Sequence, residues 1–305
     1  MNIPRFWASA EGEADTTAGS STPLKCYGWS HDDIAEAKAR AAQALARLLE
    51  RVRQGAPFPG KYVYADRPIR EEILEEMHDA NGQLQGMITR NAYGAAVLNT
   101  SGVMFVDIDD ENPDAASSSP GVAAGDVINR VLGWFTRRDP TAVEEPASKP
   151  RPTSEKEVPE AVAAFASVNP DWSLRCYRTC AGWRLLVTHA TFDPVSERVR
   201  EALTAFDSDR KYIELTRVQQ CFRARLTPKP WRCDVPLPIR VFPRESAALQ
   251  RAHSQWLTEY ERACARFATC RYVTTLGSGD TCPAAETAVH WHDRVTKANE
   301  SLPLA

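Results

Sequence analysis

The chain has 305 residues, 43% of them hydrophobic and 25% charged, with a net charge of −3 at neutral pH. That make-up belongs to a soluble globular protein and excludes collagen-like, disulfide-scaffold and wholly disordered classes. No window approaches the roughly 18 apolar residues of a membrane span, and the amino terminus Met-Asn-Ile-Pro-Arg-Phe-Trp has no basic region followed by an apolar core, so no membrane partner and a cytoplasmic location are expected. Eight cysteines without a secretion signal read as reduced thiols, and none of their spacings gives the paired Cys-x-x-Cys knuckles of structural zinc.

Residues 8 to 24, small and polar, read as a loop, with a short strand at Cys26 to Trp29. Ser30-His31-Asp32-Asp33 caps a helix running to about Arg53, with Ile34, Ala37, Ala41, Ala44, Leu45, Leu48 and Leu49 on one stripe. A strand is expected at Lys61 to Tyr64, then an acidic second helix from Ile69 to His78, ended by Asn81-Gly82. A meander follows: Leu84 to Arg90, Ala95 to Asn99, and a third strand, Val103 to Asp110, beside sheet partners adjacent in sequence.

Val122 to Arg137 reads as helical, the stretch near 138–160 as a disordered insertion, and Val158 to Val168 as a helix. Leu174 to Thr179 and Trp183 to His189 form a hairpin around Cys180-Ala-Gly182, followed by an amphipathic helix from Pro194 to Phe206, a strand at Lys211 to Leu215 and a last helix from Ser246 to Phe267. His290 and His292, close to the tail, are expected in solvent.

The third strand of the meander is the most informative stretch. Val103-Met-Phe-Val-Asp-Ile-Asp-Asp110 feeds four apolar residues into two aspartates. Side chains alternate along a strand, so Asp107 and Asp109 share a face with Phe105. Two adjacent carboxylates repel each other, and a divalent cation, a basic side chain or a proton makes the pair tolerable; hard oxygen ligands suit Mg²⁺ or Mn²⁺. Downstream, Arg210 to Arg244 holds nine basic residues against the two acids Glu214 and Asp234, with Phe222 and Trp231 interleaved. Guanidinium forks and flat rings suit phosphates and bases.

These stretches together resemble the archaeo-eukaryotic primase superfamily, the primase-polymerases, over about residues 95 to 235. Met104-Phe-Val-Asp-Ile-Asp109 is similar to the family's Asp-x-Asp strand, Ala181-Gly-Trp-Arg-Leu-Leu186 to its Gly-containing strand, and Tyr212-Ile-Glu-Leu215 with Cys221-Phe-Arg-Ala-Arg-Leu-Thr-Pro-Lys229 to its third acid and basic follow-on. The resemblance implies Asp107, Asp109 and Glu214 as catalytic ligands of Mg²⁺ or Mn²⁺. It implies Arg184, Arg223, Arg225 and Lys229 as nucleotide-binding, a nucleoside triphosphate as substrate, and DNA or RNA as partner. Arg184 stands where the family carries a histidine that meets the incoming nucleotide.

The expected activity is metal-dependent nucleotidyl transfer. Alternatives are a catalytically inactive nucleotide- or nucleic-acid-binding module and an Asp-x-Asp metal-dependent phosphohydrolase. The haloacid-dehalogenase type of the latter expects Thr or Val where this chain has Glu111. A glycosyltransferase using Asp-x-Asp for a sugar nucleotide leaves the Arg-rich region unexplained. The expected architecture is α+β, with a central, mainly antiparallel sheet, flanking helices and a primase-polymerase-like core. It divides into an N-terminal part of the core at 1–94, a catalytic-like part at 95–245, and a C-terminal helix and tail at 246–305.

Overall fold

The structure, a computed structural model, describes residues 1–15, 21–55, 68–79, 81–110, 158–239 and 242–305. The fold is mixed α+β, with three antiparallel sheets and six α-helices among the described residues.

The amino-terminal unit is a hairpin of β1 (Phe6–Asp15) and β2 (Ser21–Ser30) under helix α1 (Ile34–Arg53). Asp33 caps α1 by accepting the Glu36 N–H at 2.8 Å. Residues 8–15 and 21–24, expected as part of a loop, are therefore strand. Their small side chains make room for α1, whose Ala37 and Ala41 are fully buried. A Cβ on Gly28 would lie 2.2 Å from the Ala37 carbonyl oxygen, so the helix backbone rests directly on the strand.

The acidic segment expected as a helix is strand β3 (Glu72–His78), paired antiparallel with β4 (Leu84–Arg90). Two register shifts, between Ile73 and Glu75 and between Met77 and His78, break the two-residue alternation. A strand interrupted this way loses the period that identifies it and mimics a helical spacing of apolar residues.

β4 pairs with β5 (Ala96–Thr100), and β5 with β9 (Phe222–Arg225), giving the order β3-β4-β5-β9. The strand of aspartates, β6 (Phe105–Asp109), does not continue that sheet as the meander implied. It crosses into a second one, ordered β10-β7-β8-β6, with β7 (Ser173–Thr179), β8 (Gly182–Val187) and β10 (Cys270–Gly277). The single central sheet expected from the sequence is thus two four-stranded sheets. One buried cluster spans both, joining Ile88 and Leu98 to Phe105, Val106, Leu174 and Leu185. All six residues of β8 are buried; each fully buried Leu or Val contributes roughly 1.5–3 kcal/mol. Residues 1–94, 95–245 and 246–305 all supply strands to these sheets.

Helices α2 (Glu160–Val168) and α3 (Glu197–Ala205) match the expected positions. The strand expected at Lys211 to Leu215 is instead α4 (Arg210–Gln219), capped by the Asp209 carboxylate, which accepts the N–H groups of Lys211 and Tyr212, and ended by Gln220 in the left-handed region at φ 53°. Helix α5 (Ala247–Cys264) clamps the segment after β9: the Tyr260 hydroxyl donates to the Pro228 carbonyl and Trp256 Nε1 to that of Pro236.

In the last helix, α6 (Pro283–Thr296), His290 is exposed as expected, but His292 is fully buried. Its ring packs on Phe105 and Tyr177, and its nitrogens meet Asp293 Oδ1 at 2.9 Å and Cys270 Sγ at 3.8 Å. A histidine near the end of a chain goes inside when the core supplies partners for both nitrogens. No disulfide joins the cysteines among the described residues. No helix among the described residues is long and apolar enough to cross a membrane. The expected Lys61–Tyr64 strand, the Val122–Arg137 helix and the insertion up to residue 157 lie outside the described residues.

Candidate functional site

Two edge strands, one from each sheet, meet along a seam, and the charged residues singled out from the sequence gather there. On the β6 side, Asp107 pairs across the ladder with Arg184 of β8. The guanidinium, 2% exposed, donates through Nε to Asp107 Oδ1 at 2.9 Å and through Nη2 to Oδ2 at 3.4 Å. Its Nη1 reaches over the seam to the Arg225 carbonyl at 2.7 Å. Burial opposes the charge on Arg184, and Asp107 beside it more than restores it. Arg184 is consumed in holding Asp107 and tying β8 to β9, so it does not stand free to meet a nucleotide. His189 does not replace it: it lies beyond β8, against Trp172 and Phe192.

The next two acids differ. Asp110 accepts both terminal nitrogens of Arg178, at 2.7 and 2.6 Å, and Arg178 also donates to the Gly182 carbonyl at 2.8 Å, which fixes the end of β6 against the β7–β8 turn. A Cβ on Gly182 would lie 2.1 Å from the Ile108 carbonyl oxygen, so the strands approach this closely only because residue 182 is glycine. Asp109 has no hydrogen-bond or ion-pair partner among the described residues and stands exposed on the same face as Asp107. Partial burial raises its pKa, and the nearby carboxylates of Asp209, Asp107 and Asp110 push it further up against the pull of Lys229.

Asp209 is the residue the sequence reading missed. The turn before α4 is pinned to the open edge of β6 at two points: the Ser208 hydroxyl donates to the Asp107 carbonyl at 2.8 Å, and the Tyr212 hydroxyl to the Phe105 carbonyl at 2.9 Å. This places Asp209 near enough for its charge to raise the pKa of Asp109. Glu214, expected as the third ligand, lies two residues beyond Tyr212, about 200° around the helix, and is exposed. The signal was present: Ser208-Asp209 before an amphipathic run is a helix cap, and reading Lys211 to Leu215 as a strand concealed it.

Across the seam, burial alternates from Phe222 to Pro230, leaving Arg223, Arg225, Thr227 and Lys229 on the less buried side. Arg223 is taken up by Glu71, its Nη2 donating to both carboxylate oxygens at 2.7 Å. Arg225 has no acidic partner among the described residues and donates only to the Thr227 carbonyl, at 3.3 Å. Burial first, then Arg184 and Arg232, lower its pKa to about 10 against the pull of Asp107. Lys229, equally without an ion pair, is pushed down to about 8 by burial and by Arg225 and Arg232, with Asp109 and Asp107 pulling the other way.

The seam thus sets Asp107, Asp109 and Asp209 opposite Arg225, Lys229 and Arg232. Each sign is crowded among its own kind, and Asp109, Arg225 and Lys229 make no direct salt bridge among the described residues. Among the described residues, no three His, Cys, Asp or Glu side chains converge closely enough to hold a metal ion by themselves. The donor set nonetheless fits Mg²⁺ or Mn²⁺ in the usual phosphate-bound mode, in which one or two carboxylates suffice and substrate oxygens and waters complete the shell. No protein-family model, no characterised protein and no solved structure matches the chain.

Proposed function

We propose that the seam is a metal-assisted nucleotidyl-transfer site of the primase-polymerase kind, acting on a nucleoside triphosphate with DNA or RNA as partner. The observation that carries this reading is that Asp109, Arg225 and Lys229, where two sheets meet, have no ion-pair partner among the described residues. Buried and half-buried charges normally find partners within the protein. Among the described residues Asp109 lacks a cation and Arg225 and Lys229 lack an anion, a deficit that a metal-bound polyphosphate would supply on both sides.

Asp107 and Asp109 would hold the divalent cation, and Asp209, rather than Glu214, adds negative charge near them. Arg225 and Lys229 neutralise phosphate oxygens. Arg184 fixes the Asp107 carboxylate from behind, a positioning role in place of the family's histidine contact. When bound, Mg²⁺ or Mn²⁺ supplies charge neutralisation at the phosphates.

Calorimetry with Mn²⁺, then with Mn²⁺ and ATP, tests the site, and a primer-extension assay tests the chemistry. The reading expects Asp109→Asn to abolish Mn²⁺-dependent ATP binding and Glu214→Gln to leave it intact. Unchanged Mn²⁺ affinity in Asp107→Asn/Asp109→Asn overturns it. One observation favours the catalytically inactive binding module as a second reading: Asp107 already has Arg184 as its cation. That reading expects ATP to bind without incorporation. Phosphate release from small phosphomonoesters would instead point to the hydrolase alternative.

A further inference from the structure

Of the large hydrophobic side chains that stand exposed among the described residues, one is aromatic: Trp231, at 46%. It sits on a 3-10 turn (Pro230–Arg232) directly after the run that carries Arg225 and Lys229. The turn is built firmly. The N–H groups of Cys233 and Val235 both donate to the Pro230 carbonyl, at 2.9 and 3.0 Å, and Tyr260 anchors the Pro228 carbonyl just before it. Tyr93 meets the indole at a 5.5 Å centroid separation and 87°, and the Lys229 ammonium lies 5.3 Å from the ring centre. A firmly bonded turn therefore holds a large apolar ring in water beside the Lys229 ammonium and next in the chain to Arg232, neither of which has an ion pair among the described residues.

We propose that Trp231 is a stacking platform for an unpaired base of single-stranded nucleic acid, with Arg232 gripping the adjoining phosphate. The inference rests on the proposed function in taking nucleic acid as the partner. A π-face beside positive charge is the pairing that single strands use, because every base offers a flat face and every linkage a negative charge. A duplex keeps its base faces stacked inside and offers none. Leu237 and Ile239 are also exposed, at 37% and 55%, on the Pro-rich segment that follows the turn, beyond the buried Cys233 and Val235 and the exposed Asp234.

Fluorescence anisotropy of the full chain with a fluorescein-labelled oligo-dT of about twelve nucleotides, spanning a typical single-strand site, tests this. Trp231→Ala is expected to weaken binding roughly tenfold or more at an unchanged slope of log affinity against log salt. Trp231→Phe should retain most of the affinity. Arg232→Ala should weaken binding and flatten the salt slope by about one. Trp231 is exposed, so unchanged melting curves are expected for its variants. An affinity for Trp231→Ala within about twofold of wild type, a duplex that competes as well as the single strand, or a loss in Trp231→Ala confined to ATP binding each overturns the proposal. The two readings separate cleanly. Wild-type protein that binds Mn²⁺ and ATP but no oligonucleotide defeats the Trp231 inference alone. Trp231-dependent oligonucleotide binding by a protein that takes no Mn²⁺ defeats the metal site alone.

Discussion

Replacing Arg184 by methionine should cost the fold about 3 kcal/mol. The guanidinium is 2% exposed, makes two hydrogen bonds to Asp107 and donates a third, at 2.7 Å, to the Arg225 carbonyl. Breaking a buried ion pair from one side typically costs about 3–5 kcal/mol, because the remaining charge is left without compensation. The low end applies here. The Asp107 side chain is 38% exposed and regains some hydration, and methionine keeps most of the apolar packing. In a chain of this size each kcal/mol lowers the melting temperature by about 2–4 °C, so the expected drop is about 6–12 °C by circular dichroism. Arg184→Lys keeps the charge but loses the fork, and should fall between. The decisive measurement is the double-mutant cycle with Asp107→Asn, expected to show about 1.5–3 kcal/mol of coupling. A drop below about 2 °C for Arg184→Met, or simple additivity in the cycle, refutes the claim that Arg184 braces Asp107.

Lys229, with its pKa lowered from 10.5 to about 8 in the folded state, destabilises the fold below pH 8, and that penalty is relieved as pH rises from 8 toward 10.5. Lys229→Met should therefore raise the melting temperature at pH 7 and lose that advantage toward pH 10. A polyphosphate would raise the same pKa, so ATP binding near pH 8 should take up a proton, seen as a buffer-dependent heat, and weaken as pH climbs. Asp109 has a raised pKa, so its charge disfavours folding at neutral pH and stops doing so as pH falls into the carboxylate range. Asp109→Asn should melt higher than wild type at pH 7 and converge with it in acid. Glu71→Ala strands the Arg223 guanidinium and should cost about 3 kcal/mol by urea unfolding. Gly182→Ala drives a Cβ into the Ile108 carbonyl and should destabilise by roughly 2–4 kcal/mol, detected by the same melts.

The sequence disclosed elements wherever a single period ran unbroken. The α1 stripe, the β7–β8 hairpin and the β6 alternation are local patterns, and each is observed. The failures share a cause. Bulges in β3 shift the register partway along the strand, small residues in β1 look like turn formers until α1 lies on them, and α4 is too short for its stripe to dominate. The site shows the same division. Asp107, Asp109, Arg225 and Lys229 were legible as residue types in an order along the chain. The partners that take Arg184 and Arg223 out of play, Asp107 and Glu71, come from strands and loops distant in sequence, and no local pattern encodes an ion pair between residues so far apart in the chain. Asp209 was legible as a cap, which is a statement about a helix and not about chemistry.

The route of the chain between β5 and β6 has a thermodynamic corollary. Because residues 101–104 carry it from one sheet to the other, the aspartates and the unpaired cations belong to different sheets joined by one core. Any ligand that engages both signs of charge is also a cross-brace, and its binding energy adds to the cohesion of the two halves. Stabilisation by a ligand selective for the native state grows with the logarithm of its concentration, reaching about 2.7 kcal/mol at a hundred times the dissociation constant. Amide protons of β6 and β9 should feel that gain most, because slow exchange at those edges requires the sheets to stay together.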